Sequence, residues 1–364
     1  MPNNKDHHFV PQFYLRNFGI GNSISLFNLL KNKHIPKAAI SGQCQKSYLY
    51  THDPQIEKNF SKAENEFARV INKIIQRGAP PKQWSEEHRS LMRFVIIQKE
   101  RTPAAGRETQ ERMATIAEFV MKNHPPPPQV NPQTIKLSWI NPILFTLQMM
   151  EKMAPTLMDL QMKILVNETN IEFIASDSPI AIVNQWTMGS PDDGGTALAH
   201  SGLQIFLPIS PRYVILFYDG QIYNVGRQGS EQVKMVAVND VNSINGLQLL
   251  TSESNLYGKV TQKDVSKLPL HWRQLKSHRF KTIRVVSEDG KDKDVYQFRP
   301  QPNVNLKLSF VRIVEKAKTV SPEMKKRMHR RLSTILQQKI SKSTEFLLEK
   351  QLGPTYYRVV EEDG

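Results

Sequence analysis

The sequence predicts an α+β fold with a mainly helical N-terminal part, a central antiparallel β meander and a basic C-terminal appendage with a hairpin and a helix. Apolar residues recur at helical spacing before residue 155, whereas the next hundred residues contain short apolar runs separated by Asn, Asp, Gly and Pro. Beyond residue 258 the chain becomes strongly basic. We therefore predict three parts, residues 1–155, 156–258 and 259–364.

The helical part begins with extended pieces over residues 7–18 and 25–28, separated by the turn-prone sequence Gly-Ile-Gly-Asn. Four helices follow, and proline or glycine ends or interrupts them. Ser85 is a good N-cap for the second helix, with Glu86 and Glu87 in its first turn. The predicted helices cover about 54–77, 85–97, 104–122 and 133–153.

The β-rich part follows Pro155, and a helical pattern over residues 233–254 closes it. Its predicted strands cover 162–166, 172–176, 180–183, 204–207 and 213–218. In the appendage, Glu288-Asp289-Gly290 predicts a hairpin turn, and Ser321-Pro322-Glu323 predicts the start of a charged helix that runs to about residue 351.

The net charge of +15 is concentrated at the C-terminal end. Residues 259–364 contain 24 Lys and Arg against 12 Asp and Glu, a net charge of +12, which leaves +3 for the first 258 residues. A cationic surface attracts nucleic acid through counterion release, so we expect a nucleic-acid partner at this region. The alternative is an ordinary solvated surface.

Composition also bounds the compartment and the chemistry. No apolar stretch approaches the roughly 20 residues of a membrane span, and the N-terminus lacks the features of a signal peptide, so we expect a cytoplasmic protein with no membrane contact. Cys44 is the single cysteine, which excludes an intramolecular disulfide and a cysteine-rich zinc site. The chain also lacks a complete nucleotide-binding glycine loop and a Gly-x-Ser-x-Gly elbow. The sequence predicts no oligomeric state.

His7 and His8 are the first candidate site residues, because adjacent imidazoles precede a dense apolar and aromatic run. On a strand the two side chains point to opposite faces, so one of them faces any given cleft. We assign both to a candidate catalytic group and His8 also to a candidate metal site. A structural role for both is the alternative.

Carboxylates supply the other candidate metal ligands. Glu57 and Glu64 are two helical turns apart and lie on nearly one face, where they can bind a divalent cation together with His8. Asp177 lies in a Ser-Asp-Ser-Pro turn after a strand and is the fourth candidate ligand. The alternatives are a solvated helix face for the glutamates and a turn-capping role for Asp177. The expected ion, if one binds, is Mg²⁺ or Mn²⁺.

Gln98 and Arg101 share a helix face at i, i+3, just before Pro103. An arginine fork at this point can bind a phosphate or a carboxylate, so both residues join the candidate catalytic group. An internal salt bridge from Arg101 to Glu57 or Glu64 is the competing interpretation.

Five motifs in order resemble the domain-of-unknown-function 4238 family over about residues 5–258. They are the opening His7 to Phe18, the Glu57 to Glu64 helix, Gln98 to Pro103, Ser176 to Pro179, and Leu207 to Pro211. The resemblance implies a soluble, mainly bacterial protein with a helical part followed by a small β part, and no settled activity. The His-His opening also resembles part of a His-Asn-His nuclease finger, without that finger's asparagine and closing histidine.

Two functions from different classes follow from these observations. The first is a metal-dependent phosphodiester hydrolase, a nuclease that acts on nucleic acid in bacterial defence, with His8 as base or ligand and Arg101 at the phosphate. The second is a non-catalytic nucleic-acid-binding or protein-interaction module, in which the same residues form a structural polar network. An enzyme needs these side chains at an open cleft, whereas the module predicts that they are buried and mutually hydrogen-bonded.

Overall fold

The computed structural model describes residues 6–49, 54–123, 142–189, 195–275, 281–286, 292–298 and 301–331 of the chain. The described helices and antiparallel-rich sheets form the predicted α+β fold. The helices are α1 Gln12–Arg16, α2 Pro54–Arg77, α3 Glu86–Glu100, α4 Pro103–Asn123, α5 Pro142–Lys152, α6 Val238–Thr251, α7 Gln262–Lys267, α8 His271–Gln274, α9 Glu315–Lys318 and α10 Pro322–Arg327.

The strands of the same residues form several separate sheets. They are β1 Asp6–His8, β2 Ser23–Asn28, β3 Lys33–Ala39, β4 Gln45–Ser47, β5 Gln161–Asn167, β6 Ala175–Ser176, β7 Ala181–Val183, β8 Gln204–Ser210, β9 Tyr213–Tyr218, β10 Tyr223–Val225, β11 Gln232–Met235, β12 Asn255–Tyr257, β13 Lys281–Val286, β14 Asp292–Phe298 and β15 Val311–Ile313.

The helical part follows the apolar pattern of the sequence. Ser85 accepts the backbone N–H of His88 at 3.2 Å and caps α3 as predicted. Helix α2 stops at Gly78, whose φ of +65° and hydrogen bond to the Ile74 carbonyl are typical of a glycine after a helix C-terminus. The predicted apolar positions Phe67, Val70, Ile71 and Ile74 are buried. Of the predicted fourth helix the structure describes α5, since residues 124–141 lie outside the described ranges.

The opening segment differs from the sequence prediction. The sequence predicts extended pieces over residues 7–18, whereas the structure has strand β1, then Pro11, then the short helix α1. Tyr14 and Leu15 are adjacent and both fully buried, which a helical turn permits and an alternating strand does not. The Tyr14 hydroxyl donates to the Pro208 carbonyl at 2.5 Å, which connects α1 to the central sheet.

The central five-stranded sheet has the order β11-β5-β9-β8-β7. Its neighbours are antiparallel except β11, which pairs parallel to β5 through residues 232–235 and 164–167. The sequence predicts helix from residue 233, but Val233 and Met235 are buried in a strand and the helix α6 begins at Val238. The partner strand 164–167 lies far away in sequence, so local periodicity cannot show this pairing.

A four-stranded sheet with the order β3-β2-β12-β6 joins the N-terminal strands to residues of the second part. Leu26 pairs with Tyr257, and Leu256 pairs with Ser176. The edge strand β3 carries exposed Lys33, Pro36 and Lys37. Lysine and proline disfavour pairing of this edge with another chain.

The described C-terminal residues combine the predicted hairpin with a segment that packs into the central core. Strands β13 and β14 form the hairpin, although its turn lies outside the described residues. We call residues 301–331 the 301–331 segment. Its strand β15 pairs with β10, and its buried apolar residues are Val304, Leu306, Leu308 and Ala317. The predicted helix over 321–351 is described only as α10, because residues 332–364 lie outside the described ranges.

Among the described residues, no helix combines the length and the apolar composition that crossing a bilayer requires.

Candidate functional site

The N-terminal histidines lie on β1, where their side chains alternate as the strand geometry requires. His7 is buried, and His8 is half-buried. The Nε2 atom of Gln12 lies 2.9 Å from Nε2 of His8, and the Oε1 atom of Gln12 accepts a hydrogen bond from Arg16. The Gln12 amide therefore donates to His8, which leaves Nδ1 of His8 to donate to the Gln43 carbonyl at 3.1 Å. Both ring nitrogens of His8 thus have protein partners.

Arg101 lies at the C-terminal end of α3 and is only 2% exposed. Its Nη2 atom donates to the His8 carbonyl and to Oε1 of Glu64, the latter at 2.8 Å. Its guanidinium also lies over the Phe60 ring, with 5.5 Å from Cζ to the ring centroid. The competing sequence interpretation, an internal salt bridge from Arg101 to a glutamate of the preceding helix, corresponds to this geometry.

Gln98 is fully buried one turn before Arg101. Its Nε2 atom donates to the Phe9 carbonyl at 2.9 Å, so Gln98 and Arg101 bind the carbonyls of consecutive residues. Within the described residues its Oε1 atom has no hydrogen-bond partner. We call His8, Glu64, Gln98 and Arg101 the Arg101 cluster. The Arg101 cluster connects β1, α2 and α3, and its polar groups are largely used for contacts within the protein.

Asp177 has a different environment from the Arg101 cluster. It is 5% exposed and accepts the backbone N–H groups of Glu253, Ser254 and Asn255 at 2.8, 2.7 and 3.0 Å. Burial raises the pKa of this carboxyl above its usual range, although the three N–H groups favour the ionised form. Asp177 therefore stabilises the turn that follows α6, more than 70 residues away in sequence.

A set of side-chain contacts lies between His8 and Asp177. Gln43, whose carbonyl binds His8, also accepts the Tyr257 hydroxyl through Oε1 at 3.4 Å. The Tyr257 oxygen lies 3.2 Å from Sγ of Cys44. Burial raises the pKa of the Cys44 thiol well above its usual value, and the nearby charge of Asp177 raises it further. Cys44 is therefore a protonated thiol at neutral pH.

The structure describes the side chains of three of the four candidate metal ligands, His8, Glu64 and Asp177. Glu64 is paired with Arg101, Asp177 accepts three backbone N–H groups, and the side chain of Glu57 lies outside the described residues. In the described part of the chain, no three His, Cys, Asp or Glu side chains come together where they can hold a metal ion. The metal role of these residues stays a prediction.

A second buried arginine, Arg330, has no counterpart in the sequence predictions. Its Nε atom donates to both oxygens of Asp159, at 3.1 and 3.0 Å. Its Nη atoms donate to the carbonyls of His200, Thr156 and Leu198 at 2.9, 2.9 and 2.7 Å. We call Arg330 with these four residues the Arg330 cluster. In the sequence, Arg330 lies in a run of basic residues, and no local signal distinguishes it from its solvated neighbours.

The basic residues around Arg330 lie mostly at the surface. The 301–331 segment contains nine Lys and Arg but two Asp and Glu, a net charge of +7. Among the side chains that the structure describes, its exposed cationic residues are Lys307, Arg312, Lys316, Lys318, Arg327 and Arg331. This cationic surface therefore belongs to a segment that is packed onto the central sheet.

Comparison with known proteins places the chain in a family. The family model described as "Protein of unknown function (DUF4238)" matches residues 6–261, about 70% of the sequence, so the chain belongs to the DUF4238 family. The resemblance to this family drawn from the sequence motifs is confirmed. No curated protein and no solved structure matches the chain. The 301–331 segment lies beyond the matched residues.

Proposed function

We propose that this protein binds nucleic acid through the 301–331 segment and that the Arg101 cluster stabilises the fold without taking part in catalysis. The observation that carries the proposal is a net charge of +7 on 31 residues that are fixed to the central core. Six of the segment's cationic residues are exposed among the side chains that the structure describes, and they outnumber the exposed acids Glu315 and Glu323.

Hydrogen bonds fix the 301–331 segment to the rest of the protein and therefore fix the positions from which its cationic side chains extend. Trp186 donates from Nε1 to the Ala317 carbonyl at 2.7 Å, and the backbone N–H of Ser309 donates to Asp240 at 3.0 Å. Cationic side chains on a fixed backbone keep their spacing, so several of them can meet successive phosphates without a large ordering cost. Each phosphate contact releases counterions and contributes to affinity.

The burial of the Arg101 cluster supports a structural role for it. Gln98 and Arg101 are buried and bind backbone carbonyls, while Asp177 binds backbone N–H groups of another turn. Catalytic side chains need access to a substrate. Hydrogen bonds to the main chain of this kind favour a non-catalytic binding module over a phosphodiester hydrolase.

The test measures nucleic-acid affinity of the full-length protein by fluorescence polarisation over a series of salt concentrations. Replacement of Lys307, Arg312 and Arg327 by glutamine removes three charges from the segment. The matched control replaces Lys31, Lys33 and Lys37, which are exposed on and beside β3. The segment variant is expected to lower the slope of log affinity against log salt by up to about 3, because each contact contributes about 0.9 on duplex DNA. Equal effects in the two variants, or no binding by the wild type, would contradict the proposal.

The same preparations decide between binding and hydrolysis. DNA and RNA are incubated with Mg²⁺ or Mn²⁺, and cleavage is followed on gels for the wild type and for His8→Ala. The binding proposal predicts intact strands in every reaction. Metal-dependent cleavage that His8→Ala abolishes would replace it with the nuclease function.

A further inference from the structure

A cleft of about 630 Å³ is lined by residues of the 301–331 segment and by residues of the central part of the chain. The lining includes Lys316 and Ala317 of α9, residues 328–331 after α10, and residues 219–222 of the loop between β9 and β10. The cationic and imidazole side chains of its lining include Lys316, His329 and Arg331, all exposed. Ligand clefts in proteins commonly have a volume of about 300–1,000 Å³, which suits a molecule of nucleotide size.

The acidic residues of the cleft are already engaged by the protein. Both oxygens of Asp159 accept from Arg330. The two oxygens of Asp219 accept the backbone N–H groups of Gly202 and Gln221, each at 2.9 Å. Their negative charge is therefore partly balanced by donors within the protein.

The exposed cationic groups of the cleft, unlike the buried Arg330, make few contacts within the protein. Within the described residues Arg331 makes no ion pair or hydrogen bond, and the contact of Lys316 is a 3.3 Å hydrogen bond to the Gln221 amide oxygen. His329 uses Nδ1 to donate to the Arg327 carbonyl at 2.9 Å, which leaves Nε2 for another partner. Lysine and arginine side chains are the usual protein partners of phosphate groups.

We infer that this cleft binds the phosphate of a nucleotide, supplied either as the terminal phosphate of a nucleic-acid strand or as a free nucleotide. Lys316 and Arg331 contact the phosphate, and the apolar residues Ile222, Val320 and Met328 contact the base. This inference rests on the proposed function, because the cleft belongs to the same cationic surface. The inference adds a preference for phosphorylated strand ends to the general attraction between the cationic surface and the phosphate backbone of nucleic acid.

The experiment compares single-stranded oligonucleotides of one sequence with a 5′-phosphate, a 3′-phosphate or no terminal phosphate, using full-length protein and fluorescence polarisation. A nucleoside monophosphate serves as the competitor of strand binding, and its direct binding to the protein is measured by isothermal titration calorimetry. The cleft variant is Lys316→Gln with Arg331→Gln. The matched control, Lys307→Gln with Arg312→Gln, removes the same charge from the same segment outside the cleft. All four side chains are exposed, so both variants are expected to keep the wild-type Tm.

The wild type is expected to bind one phosphorylated end at least about tenfold more tightly than the unphosphorylated strand, since a charged phosphate accepts strong hydrogen bonds. The cleft variant is expected to lose this ratio, whereas the control keeps the ratio and binds all strands more weakly. A strand-end preference identifies the end as the ligand. Nucleotide binding that the cleft variant abolishes, without an end preference, identifies the free nucleotide.

Two outcomes would overturn the inference. One is the absence of both an end preference and nucleotide binding, and the other is their survival in the cleft variant. In either case salt-dependent binding of strands can persist, and nucleic-acid binding by the 301–331 segment is then supported without a phosphate site in the cleft. If no strand binds, the proposed function fails, and the nucleotide arm still decides whether the cleft is a ligand site.

Discussion

Arg101 and Arg330 are both buried, yet they connect very different parts of the chain. Arg101 binds the His8 carbonyl and Glu64, so it fixes the N-terminal strand to the helical part. Arg330 binds Asp159 and three carbonyls of the central part, so it fixes the 301–331 segment. An arginine in a sequence motif, such as Arg101, and an arginine in a basic run, such as Arg330, can therefore have the same structural role. Only the hydrogen-bond partners of each arginine reveal that role.

The two arginines also differ in how completely the protein surrounds their partners. The Glu64 side chain is 26% exposed, whereas the Asp159 side chain is 16% exposed. Burial raises the pKa of Asp159, and the charge of Arg330 opposes that rise. Without Arg330, the carboxylate of Asp159 is less able to reach water than the carboxylate of Glu64 is without Arg101. The Arg330 cluster is therefore expected to be the more sensitive of the two.

Arg330→Met is expected to have the largest effect on stability. It leaves Asp159 and three carbonyls without their donor, and removal of one partner from a buried ion pair costs about 3–5 kcal/mol. Urea denaturation measures the loss, and limited proteolysis should cut within the 301–331 segment before other sites. The control Arg331→Met, one residue away and exposed, should keep the unfolding free energy and the proteolysis pattern of the wild type. Equal stability of the two variants would contradict the structural role of Arg330.

Arg101→Met is expected to destabilise the fold by a smaller amount, about 2 kcal/mol. The methionine retains apolar contact near Phe60, and Glu64 can reach water, but the His8 carbonyl loses its donor. Arg69→Met, on an exposed position of α2, is the matched control. Nucleic-acid affinity measured under native conditions should stay unchanged in both variants. A selective loss of affinity in Arg101→Met would place the binding surface at the Arg101 cluster instead.

His88 sharpens the comparison, because it is a buried basic group without a carboxylate partner among the described residues. Its Nδ1 atom accepts from the backbone N–H of Trp84 at 2.9 Å, and its Nε2 atom has no hydrogen-bond partner in the described part of the chain. Burial, with a smaller contribution from Arg89, lowers the pKa of His88 from 6.5 to about 4. The imidazole is therefore neutral in the fold at neutral pH.

The sign of the pH effect follows from this lowered pKa. Between pH 6.5 and about 4 the unfolded chain protonates His88 and the folded protein does not, so stability falls as the pH falls through this window. The expected contribution is about 1 kcal/mol of lost stability at pH 5.5 relative to neutral pH. Thermal unfolding of the wild type and His88→Gln over this range measures it. Identical pH profiles for the two proteins would show that folding does not lower the pKa of His88.

The sequence shows most of the helical part and little of the polar architecture. The apolar spacing of Phe67 to Ile74 and the cap at Ser85 are local signals, and they predict α2 and the start of α3. The pairing of Arg101 with a glutamate of the preceding helix is one of two interpretations that the sequence leaves open. The local sequence pattern limits the role of Arg101 to a salt bridge or a ligand contact, and the three-dimensional structure identifies Glu64 as its partner.

The remaining features depend on contacts between residues that are distant in sequence. Asp177 is expected to bind a metal or its own turn, but its partners begin at Glu253. Strand β11 needs the parallel partner β5, and Arg330 needs carbonyls from residues 156–200. No local periodicity carries such information, because backbone acceptors have no sequence signature.

Photo-crosslinking of the full-length protein to a nucleic acid, with the crosslinked peptides mapped by mass spectrometry, tests the central claim most directly. The account predicts crosslinks in the 301–331 segment, including the peptides that contain Lys316 and Arg331, and their loss at high salt. Crosslinks concentrated around His8, Gln98 and Arg101 would contradict this account and would make the Arg101 cluster the nucleic-acid site.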